Sequence, residues 1–272
     1  MKYKLIATDL DGTLGTDEHE ITPENKQAAL RIMDLGMKIV ICSGRSPASL
    51  IEVTKTLEIK DPYIISFNGG FVLDVSTGTK LLESRMKIEL AEEILKNLKP
   101  LTENIELVVY TEPYEAITET GTEIAPYAFG YAKINIEPKD DLAEALENDV
   151  LKIILIGDRV KLEFIYKEME PLVADKCGIL FTGSQILEFV PPGVNKGEAL
   201  KFLAKYLGIS MEEVVAFGDN YNDMEMLKEA GLGVAVANAV TPLKNTADFV
   251  TCRDNNNSAF SELVDYILSD CL

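Results

Sequence analysis

Short apolar runs recur along the first seventy residues, and each is followed by a stretch with helical spacing. Leu5-Ile6-Ala7 is apolar without alternation, the pattern of a parallel strand buried on both faces. Thr22-Pro23-Glu24 then supplies a capping hydroxyl, a proline for the first turn and an acid at the positive end of the helix dipole. Ala28, Ile32 and Leu35 give that helix one apolar face, and Gly36 ends it. Met37 through Cys42 read as the next strand, residues 47–57 as a second helix opened by Pro47, and Tyr63 through Ser66 as a third strand. This alternation predicts an α/β fold: a Rossmann-like parallel sheet with helices on both faces.

The texture changes after Asn68-Gly69-Gly70. Phe71-Val72-Leu73 and Lys80-Leu81-Leu82, separated by Ser76-Thr77-Gly78, read as a hairpin. Beyond it come helical stretches near residues 89–98 and 161–174 and strands near 106–110, 151–156 and 178–181. The alternating pattern returns at Ile186. Strands are expected at 186–190, 214–217, 232–236 and 248–250, with helices at 196–207, up to Glu229, and 258–268. The chain is therefore expected to comprise a core in two parts, residues 1–82 and 186–272, with an α+β domain inserted at 83–185.

Composition narrows the function. With 47% hydrophobic residues in 272, the chain has material for a large core. Its 26 Lys+Arg against 45 Asp+Glu leave a net charge of -19, which argues against a nucleic-acid partner but leaves small anions open. No apolar run is long enough for a membrane span, and the N-terminus does not resemble a signal peptide. Cys42, Cys177, Cys252 and Cys271 form no closely spaced pair, so reduced thiols and a cytoplasmic location are expected.

Four polar clusters stand at expected strand ends. Asp9 and Asp11, within Thr8-Asp9-Leu10-Asp11-Gly12-Thr13, place two carboxylates where open α/β sheets bind ligands, although Asp-Gly is also a common turn pair. Ser43-Gly44-Arg45 offers a hydroxyl and backbone amides to a phosphate, or forms an ordinary strand-to-helix turn. Lys196 sits at a helix start, where the dipole disfavours it unless an anion shares the spot or the side chain lies in solvent. Gly218-Asp219-Asn220-Tyr221-Asn222-Asp223 either caps a helix or carries acids toward the first pair. Together the clusters supply hard oxygen ligands for magnesium, a carboxylate nucleophile and phosphate donors. The single histidine, His19, leaves a histidine triad or a zinc hydrolase without parts, and its acidic loop reads as surface.

With these motifs the sequence resembles the haloacid dehalogenase-like superfamily, specifically the Cof-type phosphatases with a large inserted cap. Asp9 through Thr13 match the Asp-x-Asp-Gly-Thr pattern, Ser43 the second motif, Lys196 the third, and Gly218 through Asp223 the fourth. Asn68-Gly69-Gly70 resembles the segment leading toward the cap, and Val234 through Ala239 are also similar to the family. The resemblance implies a magnesium-dependent phosphomonoesterase. Asp9 is then the nucleophile and Asp11 the general acid and base, with Mg2+ held by the Asp9 carboxylate, the Asp11 carbonyl and Asp219. It also implies that Gly12, Ser43, Gly44, Arg45, Lys196 and Asn222 bind the phosphate, with Thr13, Asn68 and Asp223 in support. The inserted domain is expected to enclose a small phosphorylated metabolite, a sugar phosphate or a phosphorylated cofactor. Tyr110, Tyr114, Tyr127 and Tyr131 are candidates to recognise it, or core residues. No membrane partner is implied, and the protein is expected to work as a monomer or weak homo-oligomer. A phosphomutase of the same superfamily and a non-catalytic regulator with a phosphorylatable aspartate are the competing readings. Two stretches depart from the family pattern: the acidic Gly15 through His19, and Asp254 through Ser258 before the last helix.

Overall fold

A computed structural model describes residues 2–119 and 134–269. The chain divides into two compact units, one of Met1–Gly44, Leu50–Leu82 and Asn195–Leu272, the other of Arg45–Ser49 and Glu83–Val194. Among the described residues no helix is long and apolar enough to cross a membrane.

Strands and helices are numbered along the chain. In the first unit β1 (Leu5–Thr8), α1 (Pro23–Asp34), β2 (Lys38–Cys42), α2 (Pro47–Thr56), β3 (Tyr63–Ser66), β4 (Phe71–Asp74) and β5 (Thr79–Glu83) follow in order. The second unit contributes α3 (Ile88–Leu98), β6 (Glu106–Glu112), β7 (Glu115–Glu119), β8 (Asn135–Lys139), β9 (Lys152–Ile156), α4 (Arg159–Val173), β10 (Gly178–Gly183) and β11 (Ile186–Val190). The first unit then resumes with α5 (Lys196–Tyr206), β12 (Val214–Gly218), α6 (Met224–Glu229), β13 (Leu232–Ala235), α7 (Thr241–Lys244), β14 (Phe249–Val250) and α8 (Ala259–Ser269).

The first sheet has the order β14-β13-β12-β1-β2-β3-β4-β5. Its strands from β14 to β3 are parallel, and β4 turns back antiparallel on β3. Every residue of β1 and β12 is buried, as central strands covered on both faces require. The expected cap of α1 is present: Thr22 Oγ1 accepts from the Asn25 N–H at 3.2 Å, with Pro23 in the first turn. The chain proceeds from β1 outward through β2 and β3, then returns to fill the other side through β12 and β13. The crevice at the carboxyl ends of β1 and β12 is thus the switch point where such sheets bind ligands.

The second sheet has the order β10-β11-β9-β6-β7-β8, antiparallel except for the parallel pair β7 and β8. Alternate residues Leu107, Val109, Ile153, Leu155, Leu187 and Phe189 join Ile94 and Leu98 of α3 and Ile165 and Met169 of α4 in one apolar cluster. The core was expected to resume at residue 186, but β11 hydrogen-bonds to β9 and β10 and belongs to the second unit. The first unit resumes at Asn195. Tyr110 is buried within this sheet and Tyr114 is exposed, while Tyr127 and Tyr131 lie outside the described residues.

Pleating sends Tyr110, Lys152 and Glu188 to the face opposite that cluster. Lys152 Nζ lies 3.1 Å from both carboxylate oxygens of Glu188, and Thr182 Oγ1 donates to Glu188 Oε1 at 3.0 Å. Burial pulls the lysine below its ordinary pKa, and Glu188 opposes that pull. A Glu188→Gln substitution strands the ammonium in this setting and is expected to destabilise the protein by about 3–5 kcal/mol. Urea unfolding checks this, and Lys152→Met added to Glu188→Leu should recover most of the loss.

Candidate active site

Because β1, β2, β3 and β12 run the same way, the residues just past their ends converge. Asp9 follows β1, its N–H donating to the Phe217 carbonyl of β12 at 2.8 Å. Ser43 follows β2, its N–H donating to Ile65 O at 2.9 Å and its carbonyl accepting from the Asn68 N–H at 3.1 Å. Asn68 follows β3 in a left-handed conformation, φ 55°, and accepts at Oδ1 from Asn222 Nδ2 at 2.9 Å. A Cβ on Gly44 would come within 3.0 Å of the Asn68 amide, so the segment beyond β2 also lies against it. Arg45 groups with the second unit and donates to Ser49 Oγ at 3.3 Å.

Lys196 opens α5, behind the Asn195 cap, and is fully buried. Its Nζ reaches Asp9 Oδ1 and Asp223 Oδ1, both at 2.6 Å. The solvent alternative for this lysine is thereby excluded. Burial alone would lower its pKa, but Asp223 and Asp9 outweigh that and hold it above its ordinary value, so it stays charged.

The β12 turn folds back on itself. Asp223 Oδ2 accepts from the backbone N–H of Asp219 at 2.9 Å and of Asn220 at 3.0 Å, leaving Oδ1 for Lys196. A Cβ on Gly218 would lie 2.5 Å from that of Asp223, so only glycine permits this closure. Asp219 accepts from Thr13 Oγ1 at 2.8 Å. Gly12 combines φ +76° with an approach that would put a Cβ 2.8 Å from Asp219 Oδ2, two separate demands for glycine.

Carboxylate oxygens of Asp9, Asp219 and Asp223 lie within 4.8 Å of one another. Desolvation pushes Asp9 well above the usual carboxylate range, with Lys196 opposing and the neighbouring acids adding to the rise. Desolvation, reinforced by Asp223, also raises Asp219 to about 7, against the lowering effect of the Thr13 hydrogen bond. One lysine facing three clustered acids, Asp9 and Asp223 buried and Asp219 half-buried, leaves excess negative charge on hard oxygen donors, and this set fits Mg2+. The expected ligand set named the backbone carbonyl of Asp11, not its carboxylate, and kept Asp223 in support. In the structure the carboxylate cluster includes Asp223, while the Asp11 carboxylate turns to His19 Nδ1 at 3.0 Å.

His19 was read as a plain surface residue, and its contact with Asp11 was missed. So were two asparagines. Asn238 Nδ2 donates to the Gly12 carbonyl at 2.7 Å, and buried Asn255 donates its N–H to Asn238 Oδ1 at 3.0 Å. The available signals were the uniqueness of the histidine and the unusual Asn255-Asn256-Asn257 run.

Comparison with known proteins shows the family. The haloacid dehalogenase-like hydrolase family model matches residues 6–263. A 5-amino-6-(5-phospho-D-ribitylamino)uracil phosphatase of Bacillus subtilis, YcsE, is 32% identical over 91% of this chain and 89% of its own. An HMP-PP phosphatase of Serratia proteamaculans is 27% identical, covering 89% of this chain and 87% of its own. The crystal structure of a haloacid dehalogenase-like hydrolase from Bacteroides thetaiotaomicron superposes with a TM-score of 0.86 at 29% identity, over 97% of this chain and 99% of that one. The chain belongs to the haloacid dehalogenase-like hydrolase family, and within it to the Cof-type phosphatases with a cap domain.

Proposed function

We propose that this protein is a Mg2+-dependent phosphatase of small phosphorylated metabolites that works through an aspartyl-phosphate on Asp9. The observation that carries this reading is the buried group at the end of β1, in which Lys196 bridges Asp9 and Asp223 beside Asp219. Asp9 attacks phosphorus while the bond to the leaving oxygen breaks, and Asp11 gives that oxygen a proton. Asp11 then takes a proton from the water that attacks the phosphoryl group on Asp9, freeing the nucleophile. Asp9, Asp219 and the Asp11 carbonyl would hold Mg2+, which would neutralise charge on the transferring phosphoryl group. Lys196 holds Asp9 in line and binds a phosphate oxygen. Ser43 and the amides near Gly12 and Gly44 take the remaining oxygens, with Asn222 positioned by Asn68. Thr13 orients Asp219, and Asp223 fixes Lys196.

The two named relatives act on different phosphorylated small molecules, so a panel must span both kinds with simple sugar phosphates beside them. The expected result is phosphate release from small monoesters, ranked by kcat/KM, and no comparable turnover of a folded phosphoprotein. Chelation should stop turnover and leave the far-ultraviolet circular dichroism unchanged, because the acids come from the ends of an already large core. Full activity after exhaustive chelation would remove the metal from this reading. The free thiols of Cys42, Cys177 and Cys252 suit a reducing, cytoplasmic setting.

A further inference from the structure

The two stretches that depart from the family pattern meet in the structure. Asp17 Oδ1 accepts from Asn255 Nδ2 and Asp17 Oδ2 from Asn256 Nδ2, both at 2.9 Å. The Asp17 N–H donates to Asn256 Oδ1 at 2.9 Å, and Asn255 Nδ2 reaches the Gly15 carbonyl at 3.1 Å. Asn255 is also tied through Asn238 to the Gly12 carbonyl, next to Asp11. The loop is closed internally as well, with His19 N–H donating to Thr16 O at 2.9 Å and Glu20 N–H to Thr16 Oγ1 at 3.2 Å. His19 itself has φ 62°, a left-handed conformation uncommon outside glycine, though histidine is among the side chains that adopt it most readily. The outcome is an imidazole whose Nδ1 lies 3.0 Å from Asp11 Oδ1.

We infer that His19, held by the Asp17–Asn255–Asn256 clasp, is a positioning residue for Asp11 in the proton transfer to the leaving group. The inference rests on the reading of Asp11 as general acid. In the tautomer with its hydrogen on Nδ1, the imidazole donates to Oδ1 and Oδ2 is left to carry the acidic proton. That proton passes to the leaving oxygen as its bond to phosphorus breaks and the bond from Asp9 forms. Without the imidazole the half-exposed Asp11 side chain loses one of its restraints, and a misplacement of about 1 Å costs up to about 100-fold in such a transfer.

Glycine is the suitable deletion because it accepts the positive φ without strain, and asparagine tolerates the same backbone while its amide can stand where Nδ1 stood. The parent, His19→Gly, His19→Asn and Asp11→Asn are compared on an alkyl phosphate, with a poor leaving group, and on p-nitrophenyl phosphate, whose leaving group needs little acid assistance. His19→Gly is expected to lower kcat/KM for the alkyl ester by about 10- to 100-fold with KM nearly unchanged. The aryl ester should stay within about twofold of the parent, since its cleavage asks least of the acid. His19→Asn should restore most of the alkyl activity. Equal loss on both esters, no loss on either, or no recovery with asparagine at an unchanged melting temperature would overturn the inference. Asp11→Asn separates this from the underlying reading: if it shows no leaving-group dependence, Asp11 is not the acid and the assignment of His19 falls with it. If it shows steep dependence and His19→Gly does not, only the role of His19 is lost.

Discussion

An Asp9→Asn variant is expected to lose turnover by about four to six orders of magnitude while melting at a higher temperature than the parent in metal-free buffer. The loss follows from removing the oxygen nucleophile: a neutral amide is too weak to attack phosphorus, and nothing else at the end of β1 stands where Asp9 stands. The gain follows from burial. The folded protein holds Asp9 well above the usual carboxylate range, chiefly through desolvation, so its charged form costs stability at neutral pH. A carboxyl whose folded pKa is raised contributes most below its unfolded value and loses that contribution as pH rises through the folded one. The advantage of asparagine should therefore be small in acid and grow toward alkaline pH. Calorimetry in chelator with turnover assays in Mg2+ checks both halves, with mass analysis to exclude deamidation. A variant that turns over at near-parental rate would end the assignment of Asp9 as nucleophile.

Lys196→Met should also be strongly impaired, with the opposite effect on stability. The ammonium lies fully buried, 2.6 Å from each of two carboxylates, and its removal leaves Asp9, Asp219 and Asp223 without their cation. Breaking a buried pair from one side costs about 3–5 kcal/mol, measured as a drop in the urea midpoint. Turnover should fall by about 10²- to 10³-fold or more, because a donor to the phosphoryl oxygens is lost and the nucleophile loses its anchor. Asp223→Asn combined with Lys196→Met removes one of the orphaned charges and should recover part of the stability and none of the activity. A stable, active Lys196→Met would show that the bridge is dispensable.

Much of this site was legible because its residues stand where apolar runs stop. Asp9, Ser43 and Asp219 each follow a strand that needs no tertiary information to recognise, and parallel topology then brings the three together. The burial of Lys196 was foreshadowed by its unfavourable place at a helix start. The affiliation of Ile186–Val190 was not legible, since a five-residue apolar run suits either sheet and only hydrogen-bond partners decide. Asp223 was read as a support, and its bonds to Lys196 and to the amides of the β12 turn fit that role; its spacing from Asp219 gave no sign of the fold-back that Gly218 permits. His19 was missed for a related reason. Its contact depends on a loop held by asparagines more than 200 residues away, and no local pattern encodes that.

The placement of β12 against β1 also bears on how the protein is made. β1 is synthesised first and soon has β2 on one side, but its other neighbour emerges from the ribosome more than 200 residues later. At ordinary translation rates that interval is about 10–40 s. Throughout it, a mostly apolar strand destined for the buried centre of the sheet presents an open edge of unpaired amides and carbonyls. The nascent chain thus has a window in which chaperone capture competes with aggregation. It closes only when β12 enters, the same event that delivers Asp219 and Asp223 to the end of β1.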